Sequence, residues 1–158
     1  MPNLQIRHLI HDLQNTYAGD PWYGDSVTKI LGDITPDIAF ARPLPGRHAI
    51  AELLAHLVGW REFLNRRLQG DARFAIAQTE SFDWTRTHPD PEKAWPMLLE
   101  ALESGQQQII AGLEQADDTL LDTQVPGRNY DFRQLIQGVI HHDIYHAGQI
   151  AILKKAES

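Results

Sequence analysis

Apolar residues recur along this chain every three to four positions, and no sustained alternating pattern competes with that period. Four long segments carry it. Residues 4–18 place Leu4, Ile6, Leu9, Ile10, Leu13 and Tyr17 on one stripe. Residues 48–69 carry Ile50, Leu53, Leu54, Leu57, Val58, Leu64 and Leu68. A third segment opens at Asp90-Pro91-Glu92 and carries Trp95, Leu98, Leu99, Leu102, Ile109, Ile110 and Leu113. The fourth, 132–155, carries Leu135, Ile136, Val139, Ile140, Ile144, Ile150 and Leu153. Four such stripes with no strand pattern predict an all-α chain folded as an antiparallel four-helix bundle. With 158 residues and no repeat or low-complexity tract, positions 1–158 read as one domain. That length buries a core without help from disulfides or a structural metal.

Punctuation refines the pattern. Asn3 stands where an N-cap of the first helix belongs. Gly19, Pro21 and Gly24 break the chain, and Asp25 or Ser26 then caps an extra short helix of Val27, Ile30 and Leu31 that Gly32 ends. Residues 33–46, with three prolines, read as a loop, and Gly70 ends the second long helix. The connection 71–89, with Phe74, Ile76, Phe82 and Trp84, is long for a compact domain, which marks it as functional or packed by its own side chains. Asp90 and Pro91 supply an N-cap and a first helical residue, while Pro96 is expected to kink the first turns or delay the start. Asp131 and Gln134 are spaced as a capping box for the last helix.

Composition narrows the chemistry. The chain has no Cys, which excludes disulfides, thiolate metal sites and a cysteine nucleophile, and it has 8 His. The formal charge of −7 argues against nucleic acid and against anionic membranes as partners. Arg7, His8, His11 and Asp12 interrupt the amino-terminal segment, which does not read as a signal peptide, and no stretch approaches the ~20 apolar residues of a membrane span. The expected location is the cytoplasm.

His142 and His146 lie four apart and project from one helical face as neighbours, a spacing that suits two ligands on one metal. The pair lacks the glutamate of an HExxH helix, and chance alone gives about 0.4 such pairs in a chain this rich in His. Two half-exposed histidines near a helix C-terminus are the plain alternative. His56 adds weight. It sits in the apolar run AELLAHLVGW, with Leu53, Trp60 and Phe63 at helical spacing, and so faces at least partly inward. Bundle metal sites are built by side chains projecting inward from facing helices. Gly59, Gly138 and Gly148 lie within a turn or so of these histidines and are expected either to allow close approach or to relieve bulky neighbours. Three neutral imidazoles on one ion leave a coordination position open for water or substrate.

Weaker candidates surround the three. Gln149 lies three residues after His146 and either lines the site or sits on the helix surface. Trp22 and Tyr23 either wall a pocket or pack. Tyr145 reads equally as an acid or a packing residue. Arg61, Arg66 and Arg67 read as solvated helix surface with a possible anion contact. His8, His11, His48, His88 and His141 are left as bystanders.

The segment HHDIYHAGQIAILKK (141–155) resembles the C-terminal signature of the DinB/YfiT-like metalloenzyme superfamily. PWYGDSVTKIL (21–31), LLAHLVGWRE (53–62), FDW (82–84) and VPGRNYDFRQLIQGVIHHDIYHAGQI (125–150) follow the order expected of it. The resemblance implies an up-down-down-up four-helix bundle, often a homodimer, with a divalent metal on His56, His142 and His146. Zinc or nickel is the first expectation, iron or cobalt the next. Characterised relatives include bacillithiol-dependent transferases and a mycothiol-dependent maleylpyruvate isomerase. The implied function is therefore a transferase or hydrolase whose metal activates a low-molecular-weight thiol or a water for reaction with a small molecule. The alternative is a non-catalytic metal-binding or stress-response bundle.

Overall fold

A computed structural model describes residues 3–76 and 89–157. Among these the chain forms six α-helices and one 3-10 turn: α1 (Leu4–Ala18), α2 (Val27–Leu31), α3 (Pro36–Phe40), α4 (Ile50–Leu68), α5 (Pro91–Glu114), the turn Asp118–Asp122, and α6 (Phe132–Glu157). The four long helices are those the periodicity predicts, and the short helix after the first is α2. Residues 33–46 are not all loop. Thr35 accepts a hydrogen bond from the Ile38 N–H at 3.4 Å and Pro36 occupies the first helical position, so α3 forms in the middle of the proline-rich stretch. Phe82, Trp84 and the FDW element lie outside the described residues, as does His88.

Side-chain pairs give the helix directions. Arg61 meets Gln106 and Leu68 meets Gly112, so α4 and α5 run parallel. Tyr17 meets Glu103 and the Leu13 carbonyl meets Gln106, so α1 opposes α5. Gln5 meets Arg133, while Lys154 at the other end of α6 reaches Ile30 just beyond α1, so α1 and α6 run together. The order is up-down-down-up. Parallel neighbours need a connection that travels back along the bundle. With 24 residues, α5 is about 36 Å long, which is why residues 69–90 make so long a link.

The helix ends show which local signals act. Asp131 accepts from the Gln134 N–H at 2.8 Å at the start of α6, as its spacing predicts. Gly70, at φ 83°, closes α4, with its N–H on the Arg67 carbonyl and the Asp71 N–H on that of Arg66. Asn3 makes no side-chain cap; Asp118 instead accepts from the Ile6 N–H at 2.8 Å and the Gln5 N–H at 3.2 Å, capping α1 across the fold. Pro96 neither delays nor ends α5, which runs from Pro91 through it; the proline is exposed, so the carbonyl that loses its donor sits on the wet side of the helix.

The core divides in two. One apolar cluster joins α2, α3, the first half of α4 and the last turns of α6, with Leu53, Leu57, Trp95, Leu98 and Ile150. The other joins α1, the second half of α4 and the first turns of α6, with Ile6, Leu64, Ile109, Leu113 and Ile136. A buried polar layer of His56, Arg61, Gln106, Asp143 and His146 lies between them.

Candidate metal centre

The polar layer begins with an ion pair. Arg61 is wholly buried and donates to both oxygens of Asp143, at 2.9 and 2.6 Å. Its Nε donates to Gln106 at 3.3 Å, and the Gln106 amide donates onward to the Leu13 carbonyl. Arg61 also lies 5.4 Å from the ring of Tyr17, whose hydroxyl donates to Glu103 at 2.7 Å; burial raises the Tyr17 pKa, and Glu103 raises it further. Gly105 makes room for this arrangement, since a Cβ there would stand 3.1 Å from Arg61 Cβ. The expectation of a solvated arginine cluster therefore holds for Arg66 alone. Arg67 is buried too: it donates to the Phe74 carbonyl at 2.7 Å and stacks 4.3 Å from the Phe63 ring. Each buried guanidinium has found a carboxylate, a carbonyl or an aromatic face, without which burial is prohibitive.

Beside Asp143, His142 and His146 of α6 meet His56 of α4. His142 Nε2 stands 3.0 Å from His56 Nε2 and 3.0 Å from His146 Nε2, and one ligand atom from each of the three lies within 4.8 Å of the others. Among the described residues this is the group of three or more His, Cys, Asp or Glu whose ligand atoms converge. Two imidazole nitrogens bound to zinc in tetrahedral geometry stand about 3.3–3.4 Å apart, so the two 3.0 Å separations lie near those of rings that share a divalent ion. The donor set suits zinc, nickel, iron or cobalt.

Protonation favours a cation here. Burial pushes His56 down to about 4, with repulsion from His146 and His48 adding to it. Burial also pushes His142 down to about 3, helped by His146, His56 and Arg61. His146 is lowered by burial, while Gln149 and Asp143 oppose the shift. All three rings are neutral near pH 7, the form that ligates metal. His146 Nδ1 lies 2.5 Å from Gln149 Oε1, an acceptor, so Nδ1 carries the hydrogen and Nε2 turns its lone pair to the centre. Among the described residues His142 Nδ1 is buried without a hydrogen-bond partner.

The remaining candidates fall in different places. Gln149 touches His146 and orients it. Tyr145 is exposed, its ring 5.1 Å from that of His146. Trp22 is fully exposed and Tyr23 is 46% exposed; no hydrogen bond or ring contact among the described residues joins either to the triad. They do not wall this site. Gly138 and Gly148 permit no close approach, because a Cβ at either meets nothing within 4 Å. His141 is exposed, as its position on the helix predicts. His48 is more than a bystander: at the entry to α4 it lies 3.6 Å from Glu52 and close enough to disfavour charge on His56 and His146. No spacing rule reaches it, since it precedes the helix.

Beside His142 a mostly apolar pocket of 260 Å³ opens, walled by Trp60 and Tyr130. The Trp60 ring is 5.8 Å from the His142 ring. No described helix is long and apolar enough to cross a membrane.

An up-down-down-up bundle with three converging imidazoles between facing helices defines a class of all-α proteins with a potential His-only metal centre. The family model described as the DinB superfamily matches residues 24–150. The chain belongs to that superfamily. No curated protein and no solved structure matches it.

Proposed function

We propose that this protein binds one divalent metal ion through Nε2 of His56, His142 and His146 and uses it to activate a low-molecular-weight thiol or a water for transfer to, or hydrolysis of, a small molecule. One observation carries the reading. Three Nε2 atoms converge in a buried layer, and His146 already spends its hydrogen on Gln149. His142 Nε2 has at most one hydrogen to share between two neighbours at 3.0 Å, so lone pairs face one another unless a cation stands among them. A divalent ion there supplies Lewis acidity, which lowers the pKa of a thiol or water and makes a nucleophile that this cysteine-free chain lacks. The protein's own part is to hold the rings neutral by burial, to orient His146 through Gln149, and to keep the His142 face beside an apolar pocket. The charge of −7 and the family resemblance support a cytoplasmic homodimer without nucleic-acid or membrane partners.

Elemental analysis tests the centre. Wild-type protein reconstituted with zinc is expected to hold close to one ion per chain, and His56→Ala, His142→Ala and His146→Ala each to lose it while circular dichroism keeps its helical signal. Metal retained in all three variants would overturn the assignment. Turnover of small electrophiles by the loaded protein, with and without added thiols, then separates thiol from water chemistry; no metal-dependent turnover with either would refute the catalytic role.

A further inference from the structure

The pocket beside His142 has a chemical character of its own. Leu135, Gly138, Val139 and His142 follow one another at helical spacing along one face of α6, and Trp60 and Tyr130 close the other sides. Among its described lining residues there is no Lys, Arg, Asp or Glu; the polar groups are those of Trp60, Tyr130, Gln134 and His142. An ionised group placed there would give up its water, and the described lining side chains offer it no counter-charge, so without a bound ion it is strongly disfavoured. The volume is also selective. An apolar cavity of about 150 Å³ admits benzene. At 260 Å³ this one has room for a single substituted ring. Gly138 keeps it open. A Cβ there would meet nothing within 4 Å, so helix packing does not require the glycine, and its missing side chain leaves the wall bare.

We propose that this pocket receives an uncharged, ring-bearing organic group, and that Gly138 sets the size it accepts. Resting on the metal-centred reading above, this makes the substrate a small neutral aromatic or alicyclic molecule whose reacting atom lies toward the three imidazoles. The described lining carries neither a carboxylate nor a guanidinium, so the lining itself favours the neutral form, and an anionic form of the same ring has only the ion to meet.

The test uses two probes of matched shape, 4-nitrobenzyl alcohol and 4-nitrobenzoate, titrated into the full-length chain, both zinc-loaded and chelator-treated. The readout is the indole N–H resonance of Trp60, assigned by its loss in Trp60→Phe. The alcohol is expected to shift this resonance saturably in both forms and, in the chelator-treated chain where no ion can hold a carboxylate, to bind at least ten-fold tighter than the benzoate. Gly138→Leu is expected to weaken the alcohol at least ten-fold, and Gly138→Ala less, with the melting temperature and zinc content of both unchanged. Equal binding of the two probes to the chelator-treated chain, or undiminished binding of the alcohol to a folded Gly138→Leu protein, would overturn the proposal. So would the absence of any saturable shift. Zinc retained with no probe binding refutes the pocket alone, and probe binding by a chain that takes up no zinc on reconstitution refutes the metal centre alone.

Discussion

Asp143→Asn is the most informative single substitution in the polar layer. It keeps the size of the side chain and removes the charge that Arg61 grips through two hydrogen bonds at 2.9 and 2.6 Å. Arg61 is 0% exposed and Asp143 2%, so water cannot take over the lost contact. What remains for the guanidinium is neutral: the amide oxygen of the new side chain, Gln106 at 3.3 Å, and the Tyr17 ring. Removing one partner of a buried pair costs about 3–5 kcal/mol, because the other charge is left uncompensated. In a chain of this length each kcal/mol moves the melting temperature by about 2–4 °C, so a fall of roughly 10 °C is expected. Urea titration and calorimetry at pH 7 measure it. The double variant Arg61→Met/Asp143→Leu removes both charges and is expected to recover most of the loss. A loss for Asp143→Asn below about 1 kcal/mol, the range of exposed pairs, would refute the reasoning, since it would mean that the pair is hydrated.

Two further outcomes follow from the centre. Gln149→Leu takes the acceptor from His146 Nδ1 and frees the ring to turn or change tautomer. Zinc affinity, measured by competition with a chromogenic chelator, is expected to fall about 10–100-fold, while Gln149→Glu, which keeps an acceptor, retains most of it; an unchanged affinity in the leucine variant would show that packing alone orients the ring. The pH dependence of the metal-free protein has a definite sign. His56 and His142 titrate near 4 and 3 in the fold, against about 6.5 when unfolded. Below pH 6.5 the unfolded chain therefore takes up protons that the fold refuses, so stability is full above that pH and is lost as the pH falls toward 4. Melting curves from pH 7 to 4 are expected to show this decline, and His56→Gln to make it shallower; a flat profile would contradict the burial of these rings.

What was legible in the sequence depended on whether the cause was local. The four long helices were visible because burying one face imposes a period on neighbouring residues, and the Asp131 cap was visible because its partner is three positions away. The three histidines were within reach for a similar reason: two share a helix face, and the third stands inside an apolar run. The cap of α1 was not visible, since Asp118 is 112 positions from Ile6 and only the closed fold brings them together. Arg61 misleads in the same way. A charged residue in a helix reads as surface until its carboxylate is known to stand on another helix. Trp22 and Tyr23 mislead in the opposite direction, as aromatics expected to wall a pocket or to pack that are exposed instead. Pro36 shows a further limit: prolines mark a loop, yet one placed after a capping Thr starts a helix.

The ligands are divided unevenly along the chain. His56 and His142 are 86 positions apart, on α4 and α6, with α5 between them in the chain. A fragment that stops before α6 owns one of the three imidazoles, and a fragment that begins after α4 owns two. Neither brings the three imidazoles together as the whole chain does. On the proposed reading, metal capture waits until the last helix has docked, and an ion held by all three rings signals that the bundle has closed in its proper order.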